Sequence, residues 1–326
     1  MRILVTGGAG FIGSEFVRSL LLTPSTPNTY SNIKITVLDK LTYAGSNSGL
    51  ADAAKYPGYS FVHGDICDGD LVDALMADHD AVVHFAAESH VDRSIRSSSP
   101  FVTTNVLGTQ VLLDAAVRRG IGRFVHVSTD EVYGSIPHGS WTEDSLVAPN
   151  SPYAASKAGS DLLALAYHRT HELNVVVTRC SNNYGPYQFP EKVIPLFITN
   201  LLEGKKVPLY GSGRHVREWV HVSDHCQGVL RALRYGRAGD VYHIGGGVEM
   251  TNEELTGVLL KATGTSWDMV ERVRDRKGHD ARYSLNYSKA LRTLGYRPGI
   301  DFAEGLQDTV AWYRRNSDWW KPLKEK

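Results

Sequence analysis

Cysteine is scarce. Cys67, Cys180 and Cys226 are three in 326 residues, too few and too far apart for a disulfide framework, and no Cys-x-x-Cys pair is present. An excess of charge of either sign is also missing. The 35 lysines and arginines balance 35 aspartates and glutamates, which argues against a nucleic-acid partner, since phosphates call for a cationic surface. No apolar run approaches the roughly 20 residues of a membrane span. Met1 leads at once into a strand-like run (Arg2-Ile3-Leu4-Val5-Thr6), a start that points away from a secretory leader. Internal repeats and low-complexity tracts are lacking too. The expectation is a cytoplasmic globular protein with neither nucleic-acid nor membrane partners. Its 42% apolar composition supports a substantial core and excludes a disordered chain. The length suits two domains, or one large α/β domain with an added lobe.

What is present is a strict alternation. Residues 2–6, 34–39, 59–64, 81–85, 123–128 and 175–179 read as strands, several of them continuous apolar runs such as Ala-Val-Val-His-Phe. Such runs suit strands buried on both faces of a parallel sheet. Helical stretches at 14–22, 68–77, 101–119 and 153–171 lie between them, which predicts right-handed βαβ units in a doubly wound sheet. Beyond residue 182 the pattern loosens. A loop at 182–190 precedes a helix at 192–203, and two short apolar runs (219–222 and 241–244) can rejoin the main sheet. Helical segments at 251–263, 287–294 and 302–315 suggest a smaller, mainly helical C-terminal lobe over the carboxyl ends of the strands, where ligands of such sheets bind. Residues 1–181, rejoined by about 219–247, form the expected nucleotide domain; 182–218 and 248–326 form the expected substrate lobe.

Gly7-Gly8-Ala9-Gly10-Phe11-Ile12-Gly13 sits between the first strand and the first helix. Glycines 7, 10 and 13 permit a tight turn, close approach of a pyrophosphate, and close helix–strand packing; the helix N-terminus adds free N–H groups. At the first βα junction this motif indicates dinucleotide binding on a Rossmann-like α/β sheet. Asp39 ends the second strand, where a carboxylate accepts hydrogen bonds from the adenosine ribose hydroxyls and repels a 2′-phosphate, favouring NAD over NADP. Its long spacing from the glycines is read as a loop insertion at 23–32; Lys40, next to it, is the one residue there suited to a phosphate. Asp65, after the third strand, is placed either to meet adenine or to cap a helix.

Tyr153-Ala-Ala-Ser-Lys157 sets a phenol and an ammonium one helical turn apart. The ammonium stabilises phenolate and so makes a base for a sugar or alcohol hydroxyl. A second Tyr-x-x-x-Lys, Tyr30 to Lys34, lies in the inserted loop and is assigned no role. Glycine loop, strand-end hydroxyl and Tyr-x-x-x-Lys together resemble the short-chain dehydrogenase/reductase superfamily, and with the long C-terminal lobe they resemble its extended, nucleotide-sugar branch. Ser128-Thr129-Asp130-Glu131 then places a hydroxyl and two carboxylates at the end of the fifth strand. Paired acids with separated pKa values suit an elimination, in which one takes a proton and the other gives one. Thirteen histidines offer no convincing metal site: His221 and His225, like His168 and His171, lack an HExxH context, so no metal is expected.

Over essentially its whole length the chain resembles the dTDP-glucose 4,6-dehydratase family. The matching stretches include Leu38 to Gly45, Gly64-Asp65-Ile66, Phe85 to Ser94, Ser128 to Gly134, Pro152 to Lys157 and Arg179 to Gln188. The resemblance implies tightly bound NAD, oxidation of dTDP-glucose at C4, loss of water across C5 and C6, and return of the hydride to C6 within deoxysugar biosynthesis. It assigns Tyr153 as the base for the C4 hydroxyl, with Lys157 and Thr129 holding that tyrosine and oxygen, Glu131 to the C5 proton and Asp130 to the departing hydroxyl. For the cofactor it implies Gly7, Gly10, Phe11, Ile12, Gly13, Asp39, Lys40, Leu41, Thr42, Asp65, Ile66, Phe85, Ala86, Ala87, Ser89, Thr104, Tyr153, Lys157 and Asn183. For the nucleotide sugar it implies Ser89, Thr129, Asn182, Lys192, Val193, Pro208, Tyr210, Arg217, Asn252, Arg276 and His279; Arg217 and Arg276 suit a pyrophosphate as bidentate donors. His215 and His221 depart from the family pattern and bear on base recognition.

The helices at 101–119 and 153–171 are apolar on more than one side (Val106, Leu107, Val111, Leu112, Leu162, Leu163, Leu165), which predicts a homodimer through them. Trp312, Tyr313, Trp319 and Trp320 read as a helix packing on the lobe. Competing readings are a UDP-glucose 4,6-dehydratase, a 4-epimerase or decarboxylase of the same branch, and a non-catalytic NAD-binding regulator; the Asp130–Glu131 pair weighs against epimerase and decarboxylase.

Overall fold

The computed structural model describes residues 1–22 and 33–325. The expected insertion at 23–32 and the Tyr30 motif therefore lie outside the described residues. Seven parallel strands form the main sheet: β1 (Arg2–Thr6), β2 (Lys34–Asp39), β3 (Tyr59–His63), β4 (Ala81–His84), β5 (Arg123–Thr129), β6 (Val175–Cys180) and, much later in the chain, β10 (Val241–Ile244). Their order is β10-β6-β5-β4-β1-β2-β3. The direction of winding reverses between β1 and β4, where Thr6 pairs with His84, and this opens a crevice at the strands' carboxyl ends.

Both faces of the sheet are covered, which is why these strands read as unbroken apolar runs. On one face α1 (Phe11–Leu22) and α8 (Val222–Tyr235) bury Phe16, Val17, Val229 and Leu233 against Ile3, Val5 and Val125. On the other, α2 (Gly69–Met76), α5 (Thr109–Arg119) and α6 (Pro152–His171) bury Val72, Met76, Leu112, Leu113 and Ala164 against Leu4, Val82 and Val175. Short helices α3 (Val91–Arg96) and α4 (Ser99–Phe101) lead into α5.

The expected helix at 101–119 is not one continuous α-helix. Val102–Gly108 is π-helical. Asn105, within that stretch, donates to the Glu88 carbonyl at 2.9 Å and to Ser156 Oγ at 2.8 Å, while Thr109 Oγ1 donates to the Asn105 carbonyl at 2.6 Å. These tertiary bonds tie the widened turn to α6 and to the loop after β4. The run at 219–222 does not join the main sheet either. It belongs to β9 (Val216–His221), which lies between β7 (Asn182–Tyr184) and β11 (Val248–Thr251) in a separate three-stranded sheet, so both of its edges are already paired.

The C-terminal lobe is less purely helical than expected. It also holds β8 (Val207–Tyr210) paired with β12 (Val270–Val273). Its core joins α7 (Val193–Leu202), α9 (Asn252–Thr263) and α11 (Phe302–Arg315), the last following α10 (Ser288–Leu294), through Ile194, Phe197, Leu259, Leu306, Tyr313 and Trp320. Trp312 and Trp319 pack beside this core, as expected of that helix. Helix α8 had no counterpart in the sequence reading, although it is the cover of one sheet face.

Close packing at the first βα turn depends on glycine. A Cβ on Gly13 would stand 2.3 Å from the Gly7 carbonyl oxygen, and one on Gly7, at φ +70°, would stand 2.4 Å from the Ala86 nitrogen. Gly13→Ala should therefore cost about 1–3 kcal/mol through overpacking. The expected reading is a thermal midpoint lowered by several degrees; an unchanged midpoint would contradict this account.

Candidate active site

A cleft of about 580 Å³ lies over the carboxyl ends of the parallel strands. Its floor is the glycine turn, lined by Gly7, Gly10, Phe11, Ile12 and Gly13. Asp39, at the end of β2, accepts from the Ala9 N–H at 2.9 Å and the Leu41 N–H at 2.8 Å, which lock it beside the turn with lone pairs to spare for ribose hydroxyls. Leu41 has a left-handed backbone (φ 51°) and serves through that N–H; its side chain does not line the cleft. Lys40 is committed to Asp65 at 2.6 Å, so its charge is already balanced. Asp65 accepts from Cys67 N–H at 3.0 Å and is not the helix cap; Asp68 caps α2, accepting from Leu71 N–H at 3.1 Å. Thr42, Asp65, Ile66, Phe85, Ala86, Ala87, Ser89, Thr104 and Asn183 complete a wall along the cleft. A glycine turn that no side chain could replace, next to an anchored carboxylate, fits a dinucleotide.

The chemistry converges at the ends of β5 and α6. Thr129 closes β5, and its hydroxyl accepts from Glu131 N–H at 3.2 Å, turning Asp130 and Glu131 into a single 3₁₀ turn. Ser151 caps α6, accepting from Ala154 N–H at 3.1 Å, and Pro152 occupies the first turn. That cap brings Tyr153 into the cleft, with Lys157 one turn deeper. Lys157 Nζ donates to the Val127 carbonyl at 2.8 Å, and Thr129 hydrogen-bonds the Tyr153 phenol.

Burial governs the protonation of this group. Asp130 is 1% exposed, and desolvation, reinforced by Glu131 and Glu218, pushes its carboxyl well above the usual range. Its Oδ2 has no hydrogen-bond partner. Glu131 is also raised by burial, but Lys192, Arg276 and Arg217 pull it back. Both neighbouring acids are thus raised, Asp130 the further because acids surround it while cations surround Glu131, so of the two Asp130 holds its proton the more strongly. Burial followed by Glu131 holds the Tyr153 phenol above its ordinary range, while burial lowers Lys157 to about 8. Burial thus favours the neutral phenol, and a phenolate there depends on positive charge close by.

Asn182, Lys192 and Val193 line the same cleft. Lys192 Nζ donates to the Ser89 carbonyl at 2.6 Å. The remaining residues assigned to the nucleotide sugar form an outer group in the lobe. Pro208 and Tyr210 lie on β8, Arg217 on β9 with its guanidinium 4.3 Å over the Tyr283 ring, and Asn252 at the start of α9. Arg276 lies 4.0 Å from Asp92, and the rings of Tyr210 and His279 are 6.4 Å apart. The sequence reading missed Trp219, Cys180 and Glu191, which also line the cleft, and the buried Glu218 beside Asp130. Apolar or solvated-acid patterns give no sign of such places: β9 brings Glu218 and Trp219, Cys180 ends β6, and Glu191 lies just before α7.

His221, His225 and His168 are individually occupied: His221 caps α8, His225 bonds Asn183 Oδ1 at 2.9 Å and His168 bonds the Leu173 carbonyl at 3.0 Å. His215, Asp275 and His279 bring possible ligand atoms within 4.8 Å of one another. The two imidazoles stack face to face at 3.7 Å and 18°, so their lone pairs run side by side and do not converge on an ion.

The family model described as GDP-mannose 4,6 dehydratase matches residues 4–309. A dTDP-glucose 4,6-dehydratase of Actinoplanes sp. is 64% identical over 321 residues, which cover 98% of this chain and 100% of that protein. The chain belongs to the dTDP-glucose 4,6-dehydratase family. Among solved structures, that of the family member DesIV from Streptomyces venezuelae, with NAD and TYD bound, matches at a TM-score of 0.97 and 62% identity, covering 99% and 100% of the two chains. A UDP-glucose 4-epimerase of Thermus thermophilus, in complex with NAD, matches at 0.88 and 31% identity, covering 97% and 100%. The dehydratase family thus shares its backbone with epimerases, and side chains must carry the difference in chemistry.

Buried histidines make the fold sensitive to acid. Burial lowers His126 to about 4 and His225 and His243 to about 3, against a usual 6.5. Between these values the unfolded chain binds more protons than the folded one, so stability is lost as pH falls from about 6.5 toward 4. Denaturant titrations at pH 7 and pH 5 should show a lower midpoint at pH 5; equal midpoints would refute the neutral assignment.

Proposed function

We propose that this hydro-lyase dehydrates dTDP-glucose to dTDP-4-keto-6-deoxyglucose through a division of labour between Tyr153 and the Asp130–Glu131 pair. The observation that supports this reading is the unequal upward pKa displacement of two adjacent buried carboxyls, one with acidic neighbours and one with cationic neighbours, which a dehydrogenase or epimerase does not need. Bound NAD, held by the glycine turn and Asp39, supplies the oxidant at C4 and the reductant at C6, with no net consumption.

Tyr153 takes the proton of the C4 hydroxyl, and Thr129 holds that oxygen. Lys157 stabilises the phenolate with its positive charge. The 4-keto group acidifies C5–H, so Glu131, the ionised member of the pair, can remove that proton. Asp130, kept protonated by burial, delivers its proton to the C6 hydroxyl as the C–O bond breaks and water departs. Lys192, Arg217 and Arg276 serve twice in this scheme: they favour the Glu131 carboxylate and present cations to the diphosphate. The enclosed cleft protects the unsaturated ketone from solvent. Residues 1–181 with 222–247, which hold α8 and β10, act as the cofactor unit, and 182–221 with 248–326, β9 included, as the substrate lobe.

We also propose a homodimer. Leu112 is buried against the sheet and unavailable, but Ile95, Val102, Leu107 and Leu162, on α3, the π-helical stretch and α6, are 39–55% exposed. Apolar side chains this open on neighbouring elements suit a symmetric helical interface. The cysteines are free, and no helix among the described residues is long and apolar enough to cross a membrane, which supports the cytoplasm as the site of action.

Enzyme given dTDP-glucose in deuterated water, without added NAD, should yield a 4-keto-6-deoxy sugar carrying deuterium at C5. Recovery of a galactose epimer would overturn the assignment. Asp130→Asn combined with Glu131→Gln should oxidise C4 yet fail to lose water, so NADH absorbance should build up; normal turnover would overturn the roles of the pair. Tyr153→Phe should form no NADH at all. For the dimer, light scattering should report two copies, and Val102→Glu with Leu162→Glu should shift the mass to one copy; a wild-type monomer at micromolar concentration would refute it.

A further inference from the structure

Beneath Lys157, away from the cleft, lies a buried polar chain with no part in the chemistry above. Asp161 follows Lys157 by four residues on α6 and so lies on the same helical face. Its carboxylate is fully buried, with Arg179 Nε on Oδ2 at 2.8 Å and His126 Nε2 near Oδ1 at 3.2 Å. Arg179 passes the contact to the Tyr133 hydroxyl at 2.5 Å, and that hydroxyl meets His243 Nε2 at 2.6 Å. A buried ion pair of this kind costs desolvation that apolar packing would avoid.

Groups from three strands and from its own helix surround Lys157. From β4 and β5 come His84 and His126, both neutral because burial lowers them. From β6 come Cys180, whose thiol burial keeps protonated, and Arg179. From its own helix come Tyr153, a neutral phenol in these surroundings, and Asp161, which Arg179 and His126 hold ionised against its burial, at about 2. Of these groups only Asp161 carries negative charge.

We propose that Asp161, clamped between Arg179 and His126, is a positioning residue for the Tyr153–Lys157 pair: its carboxylate keeps the Lys157 ammonium charged in an interface that would otherwise discharge it. Arg179 holds Asp161 in that role, and its own charge is spent on Asp161 and the Tyr133 hydroxyl. The proposal rests on the catalytic reading of Tyr153 and Lys157 given above.

The test is the pH dependence of NADH formation in a single turnover, using the Asp130→Asn/Glu131→Gln enzyme as the background in which NADH accumulates. Lys157 sits at about 8, so the signal should decline on the alkaline side of that value. Adding Asp161→Asn should move this alkaline limb down by roughly one unit. Asp161→Glu, which restores the charge, should move it back. A uniform loss of rate with the limb in place would make Asp161 a purely structural residue and overturn the proposal. Should Asp161→Asn alone fail to fold, Asp161→Asn with Arg179→Met leaves no unpaired buried charge and should shift the limb in the same direction. The Lys157 titration is also read directly, from the ¹³Cε shift of labelled lysine assigned with Lys157→Met. That shift should fall to lower pH in the Asp161→Asn protein even if dTDP-glucose proves not to be the substrate, and an unshifted titration overturns the proposal whatever the activity.

Discussion

Desolvation at the carboxyl ends of β5 and β6 is the constraint on which the rest of the site depends. Asp130, Tyr153 and Lys157 are each under 10% exposed. In water Asp130 would be ionised near neutral pH and could deliver no proton. Removing solvent raises the carboxyl and the phenol and lowers the amine, and the neighbours then sort the results: cations from the lobe favour the Glu131 carboxylate, and Glu131 together with Glu218 favours the proton on Asp130. The same closure that sets these states also makes each charge expensive to leave unpaired, which is why the surrounding polar groups form continuous networks.

That constraint explains the placement of the lobe. A parallel sheet leaves its crevice open where the winding reverses, and a dinucleotide alone would leave the ends of β5 and β6 wet. β7 and β9 lie in a small sheet of their own, and β9 carries Arg217, Glu218 and Trp219 toward the strand ends. Cover and counter-charge thus come from a single element. The position of that element is set by pairing with β7 and β11, not by its own apolar pattern.

The epimerase of Thermus thermophilus has nearly the same backbone at 31% identity. The architecture is therefore common to both activities, and in the proposed scheme the residues after Thr129 carry the difference. Local stereochemistry makes that economical: a strand end followed by one 3₁₀ turn exposes two successive side chains to the same small volume, so two positions suffice to add an acid and a base to an oxidation site.

Much of this was legible along the chain. The six strands before residue 181 were placed to within a residue or two, because strands buried on both faces leave unbroken apolar runs and each is bounded by a helix of different period. Gly7, Gly13, Asp39, Tyr153, Lys157 and the Asp130–Glu131 pair were legible because each must stand at a defined junction of strand and helix, and such junctions are local. Whatever depends on elements distant in sequence was not. The π-helical turn at 102–108 arises from Asn105 reaching Glu88 and Ser156; β9 leaves the main sheet because β7 and β11 occupy its edges; the charge on Asp161 depends on Arg179 and His126, which belong to two other strands. Sequence by itself determined the sheet, the nucleotide turn and the candidates for the reacting groups, since these follow from short-range pattern. Tertiary structure decided which of those groups hold protons, because protonation follows from desolvation and from charges brought near by folding, and neither is a property of neighbours in the chain.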